Sequence, residues 1–137
     1  MKSVIVVVVA LAAYTLAAPQ YTEEYFQVHQ ECQADDVYRI VDMSVFSQLE
    51  FEKIPAKDVQ FPSNFNDHMS CMYSKLGLFD DNGDIIVDLA AEKLKTFFSN
   101  QNLAPQIVTA CGGIANASDD LAETSGLFYL CILDYFA

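Results

Sequence analysis

The chain has no tryptophan, two histidines, five glycines and four prolines, and only seven lysines and arginines stand against nineteen aspartates and glutamates. A net charge of −12 repels phosphate backbones and anionic lipid headgroups, so no nucleic-acid partner is expected. Beyond the N-terminus no apolar run approaches the roughly 20 residues that span a bilayer, so no stable membrane insertion is expected either. Catalytic signatures are missing as well. There is no Gly-x-Ser-x-Gly, no His-Glu-x-x-His and no phosphate-cradling glycine loop. Of the two histidines, His29 and His68, only His68 lies near a serine; Ser70 is two positions away and falls on another side of a helix. The sequence therefore reads as a non-enzyme with no cofactor. No internal repeat, low-complexity tract or long linker divides it, and strand-type alternation is essentially absent.

What is present begins with "MKSVIVVVVALAAYTLAAPQ": one lysine, an apolar run from Val4 to about Tyr14, then small residues. That is the layout of a secretory signal peptide, with cleavage expected after Ala17. Residues 1–17 are thus read as the signal peptide and 18–137 as a single domain of a secreted, extracellular protein. Without Lys2 its net charge is near −13. Cys32, Cys71, Cys111 and Cys131 all fall in the mature part. In an oxidising compartment four cysteines point to two disulfides, with three pairings open. Their intervals of 38, 39 and 19 residues are too wide for a zinc site and suit cross-links between helices, so no metal is expected.

The apolar spacing is helical nearly throughout. Thr22 is placed to cap a first helix with Tyr25, Val28 and Cys32 on one side. Val37, Ile40, Val41, Val45 and Leu49 predict a second, and Pro55 and Pro62 mark the connector that follows. Ser63 is the expected cap of a third, with Phe65, Met69, Met72 and Leu76 in register and an end at Gly77. A fourth starts near Asp88 and carries Ala90, Leu94, Phe97 and Phe98. Asn102 is the expected cap of a fifth, with Leu103, Ile107, Ala110, Cys111 and Ile114 inward and Gly112-Gly113 weakening its end. Ser118 is the expected cap of a sixth, apolar on nearly every side after Gly126 and so covered by the others. The expected fold is all-α with six helices.

Between the third and fourth helices, "KLGLFDDNGDIIVDLAAEKL" has the look of a calcium loop. An EF-hand needs oxygen ligands at positions 1, 3 and 5, glycine at 6 and a glutamate at 12. With Gly83 at position 6, Leu78 and Leu89 fall at 1 and 12. Starting from Asp80 puts Ile85 at 6 and Ala91 at 12. Both registers fail, and Asn82-Gly83 reads as a turn of positive φ.

A helix ending in "C…KLGLFDDNGDI" and followed by an amphipathic helix resembles the insect odorant-binding proteins, the pheromone- and general-odorant-binding family. The signal peptide, acidic mature chain and six helices agree. Members of that family carry six cysteines. Counting back from Cys71 and Cys131 puts the second and fifth at Asp67 and Ala122, so both partners of one family disulfide are missing together, as in the four-cysteine "minus-C" subgroup. The resemblance implies pairs Cys32–Cys71 and Cys111–Cys131 in a compact disulfide-linked bundle that encloses an apolar cavity.

It also implies a carrier of a small hydrophobic ligand, an odorant, pheromone or lipid-like molecule, delivered to a membrane receptor by a monomer or weak homodimer. Ten phenylalanines and seven tyrosines supply apolar volume for such a cavity. The expected lining is Met69, Tyr73, Leu76, Leu94, Phe98, Val108, Phe128, Ile132, Tyr135 and Phe136, with Tyr73 and Tyr135 as hydrogen-bonding tips. Asn116-Ala117-Ser118 is a glycosylation sequon. Two other readings remain open: a saposin-like lipid-interacting protein, which usually has six cysteines, and a secreted haemolymph or reproductive-tract protein without a ligand.

Overall fold

The computed structural model describes residues 19–137; the expected signal peptide lies outside the described residues. Six α-helices are found among them: α1 Glu23–Gln33, α2 Ser44–Glu50, α3 Phe65–Lys75, α4 Val87–Leu94, α5 Ala104–Ala115 and α6 Leu121–Leu133, with short 3-10 turns between. The longest packed faces join α3 to α6, α6 to α5 and α5 to α4, while α1 lies across α3. A disulfide ties α1 to α3 through Cys32–Cys71, with Cα atoms 6.1 Å apart. A second ties α5 to α6 through Cys111–Cys131, at 5.6 Å.

Helix α1 begins where its cap is expected. Thr22 Oγ1 accepts from the Tyr25 amide at 3.1 Å, and Glu23 and Glu24 sit in the positive first turn. The second helix departs from expectation. It starts only at Ser44, and Val37 and Val41 are exposed, Val41 by 90%. The cause is competition by side chains for backbone groups. The Gln33 amide brackets Ile40, accepting from its N–H at 2.7 Å and donating to its carbonyl at 2.9 Å. Asn64 donates to the carbonyls of Val37 and Arg39. Asp42 then turns the chain by accepting from Ser44 N. Asn64, occupied in this way, gives α3 no side-chain cap, and neither does Ser63, contrary to expectation.

The stripe on α3 holds: Phe65, Met69, Met72 and Leu76 are all buried. The helix stops at Gly77, whose φ of +75° suits glycine. The acidic stretch beyond it is a turn closed by its own first carboxylate. Asp80 accepts from the amides of Asn82 and Asp84 at 2.9 and 3.0 Å, and Gly83, not Asn82, takes the positive φ, +81°. Phe79 and Ile85 pair as an antiparallel bridge across it.

Phe97 and Phe98 are buried as expected but lie beyond the end of α4. Asn102 belongs to a 3-10 turn instead of capping α5, and the buried face of α5 is Ala104, Ile107, Val108, Cys111 and Ala115; Leu103, Ala110 and Ile114 are exposed. The face is rotated because Gly112, with no side chain, lets Val87 of α4 close in: a Cβ there would stand 2.8 Å from Val87 Cγ1. Helix α6 is capped by Asp120, not Ser118; Ser118 supports the preceding turn by accepting from Asp120 N. After α6 the chain pairs with the segment beyond α4, Phe98 bridging Phe136.

The sequon residue Asn116 is turned onto the acidic turn. Its Oδ1 accepts from Ile85 N at 2.8 Å and its Nδ2 approaches Ile85 O at 3.5 Å. Asn116→Ala leaves a partly buried amide without its acceptor, so we expect a loss of about 1–2 kcal/mol. Urea unfolding should show a lower midpoint at unchanged slope.

Candidate functional site: an aromatic cavity

Helices α1 and α3 are stapled at Cys32–Cys71, and α2 lies beside both, its Phe46 ring meeting His29 of α1 and Phe65 and His68 of α3. The space between the three is a cavity of about 280 Å³, at the small end of ligand pockets. From α1 and the residues before it come Tyr21, Tyr25, Phe26 and His29. From α2 and its ends come Met43, Phe46, Ser47, Glu50 and Phe51, and from α3 His68, Met69 and Met72. Tyr21, Phe26, Met43 and Phe51 are exposed, Phe26 by 57%, and rim an apolar mouth. Inside, the Phe46 ring packs on His29 and His68, with centroids 6.0 and 5.6 Å away. Tyr21 and Tyr25 are backed by Phe97 at 5.2 and 4.7 Å.

Two polar side chains are buried in this wall. Glu50 is 3% exposed and accepts from the hydroxyls of Tyr129, at 2.5 Å, and Tyr21. Burial pushes its carboxyl above the usual range, against the pull of the two tyrosines and of Lys53. No lysine, arginine or histidine among the described residues is within ion-pair distance of Glu50. Lys53 Nζ donates instead to the Ala137 carbonyl at 2.7 Å. Burial and this carboxylate together hold the Tyr129, Tyr21 and Tyr25 hydroxyls protonated.

His68 is 0% exposed, with Nδ1 2.7 Å from the Tyr38 carbonyl. A carbonyl only accepts, so Nδ1 carries the hydrogen and Nε2 is a bare lone pair. No protein atom pairs with Nε2. Burial lowers His68 to about 4 and lowers His29 as well, leaving both rings, 5.2 Å apart, neutral at pH 7.

Of the ten residues expected to line a cavity, the structure puts Met69 on this wall. Tyr73, Leu76, Leu94, Phe98, Val108, Phe128, Ile132 and Phe136 are buried in the packed core; Tyr73 meets Phe128 at 5.6 Å, and Phe136 packs on Phe97 and Tyr129. Tyr135 is 48% exposed. Side chains of strong, regular stripes fill the space between their helices. The opening forms where regularity fails, beside the short α2. One signal did mark it: Tyr21, Tyr25, Phe26, Phe46 and Phe51 are too apolar for the solvated faces their positions would otherwise give.

Six helices, two inter-helix disulfides and an aromatic cavity with an open mouth define a small disulfide-linked helical protein. The family model described as PBP/GOBP family matches residues 15–135. The chain belongs to that family, the insect odorant-binding proteins, and its four cysteines in two disulfides fit a reduced-cysteine subgroup. Neither a curated protein nor a solved structure matches it.

Proposed function

We propose that the protein is a secreted, non-enzymatic carrier that takes one small hydrophobic molecule into the cavity between α1, α2 and α3. The observation that carries this is the cavity itself: aromatic and methionine walls, an apolar mouth, and backing by a disulfide that fixes two of its three helices. Membership of the PBP/GOBP family supports carriage, and no described helix is long and apolar enough to cross a membrane. The signal-peptide pattern of residues 1–17 supports secretion, and a carrier of this kind would hand its ligand to a receptor at a membrane.

Displacement of a fluorescent apolar probe by long-chain alcohols, esters and fatty acids tests it; saturable one-to-one displacement is expected. Ser47 offers the sharper variant, because it is small, only partly buried and on the wall. Ser47→Trp should fill the cavity and lower probe affinity by tenfold or more with the helical circular-dichroism signal unchanged. Undiminished binding by that variant places the ligand elsewhere. Vesicle leakage without displacement would favour the lipid-interacting reading.

A further inference from the structure

The hydroxyl and N–H groups on the cavity wall are largely engaged. Ser47 donates to Ser44 O at 3.0 Å, Tyr21 to Glu50, and His68 to Tyr38 O. What the wall still offers is mostly acceptor. The Glu50 carboxylate has about four lone-pair positions and receives two tyrosine hydrogen bonds. It has no cationic partner among the described residues, and His68 Nε2 is buried without a partner. Tyr25 and His29 each present a group able to donate as well as accept. The aromatic rings of Tyr21, Tyr25 and Phe46 line the same space, and such rings attract cations.

We propose that the cavity selects ligands whose apolar body ends in a hydrogen-bond donor, a hydroxyl or a protonated amine, over the same body ending in an aldehyde, ester or carboxylate. This rests on the carrier reading. A donor head pairs with Glu50 or with His68 Nε2. An acceptor-only head leaves the spare lone pairs of Glu50 and His68 Nε2 unused and has only Tyr25 and His29 to donate to it, and one buried hydrogen bond lost in this way is worth roughly tenfold in affinity. A carboxylate head adds like charge next to Glu50 in a low-dielectric site and is disfavoured most. An ammonium gains from charge, hydrogen bond and rings together; an alcohol gains from the hydrogen bond alone.

The test is displacement of the fluorescent probe at pH 8, on the side that favours the Glu50 carboxylate, by octanol, octylamine, octanal, methyl octanoate and octanoate. Octanol and octylamine should displace at concentrations roughly tenfold below octanal and the ester, with octanoate weakest. Glu50→Gln should remove the advantage of the amine and bring octanoate close to octanal, while octanol keeps its preference through His68. The wild-type ranking needs no variant and stands if Glu50→Gln fails to fold. Octanal, ester or octanoate binding as tightly as octanol and octylamine overturns the head selection. Equal displacement by all five does so with carriage intact, and displacement by none overturns both.

Discussion

Reduction of both disulfides is expected to bring the protein close to unfolding at room temperature. The bridges close segments of 39 and 20 residues. Restriction of the unfolded chain then contributes about 4 kcal/mol for Cys32–Cys71 and about 3 kcal/mol for Cys111–Cys131. Together these match the whole stability of many small domains, about 5–15 kcal/mol. No cysteines stand at Asp67 and Ala122 to supply a third link. The two bridges should also separate by function. Cys32→Ser with Cys71→Ser frees α1 from α3 and should weaken probe binding as well as stability. Cys111→Ser with Cys131→Ser should destabilise while leaving the cavity walls joined. Urea unfolding with and without reductant measures this; a reduced protein within about 1 kcal/mol of the oxidised one contradicts it.

Acidification is expected to produce the next largest effect, through His68. Its folded value of about 4 lies below the ordinary 6.5, so at pH above 6.5 the ring is neutral in both states and nothing is lost. As pH falls from 6.5 to about 4 the unfolded chain takes up a proton that the buried ring resists, and stability falls by about 3 kcal/mol in total. His29, facing it from α1, acts in the same direction. Glu50, on the α2 wall, opposes them: its raised carboxyl takes up a proton in the folded state first, so its burial cost lessens as pH drops. Tyr21, Tyr25 and Tyr129 stay protonated throughout, and Lys53 stays charged in this window. His68→Gln keeps a donor for the Tyr38 carbonyl and removes the titration. The variant should lose about 3 kcal/mol less than wild type between pH 7 and pH 4. Parallel pH profiles for the two proteins would show that His68 carries no such cost.

Fold class was legible because helical periodicity and the Thr22 cap are local properties. Helix ends were less so. Ser63, Asn102 and Ser118 all have capping side chains, yet the cap positions fall one or two residues later, since sequence alone does not say which of several neighbouring polar groups finds an amide. The second helix failed because Gln33 and Asn64 reach Ile40, Val37 and Arg39 across the fold. The site was the least legible part. Regular apolar stripes identify what packs, and Phe128 and Ile132 pack without residue. A cavity needs space left unfilled beside a shortened helix, and its one trace in the sequence is aromatic side chains such as Phe26, Phe46 and Phe51 at positions that would otherwise be solvated.

Three of the four methionines, Met43, Met69 and Met72, line the cavity, and the fourth is Met1. Methyl-labelled methionine therefore reports on the proposed site directly. Titration with a ligand that displaces the probe should shift all three methyl resonances together and saturate at one equivalent. If the ligand binds and these resonances stay in place while the methyls of Val108 and Ile132 move, the binding site is the core between α5 and α6, and not the proposed cavity between α1, α2 and α3.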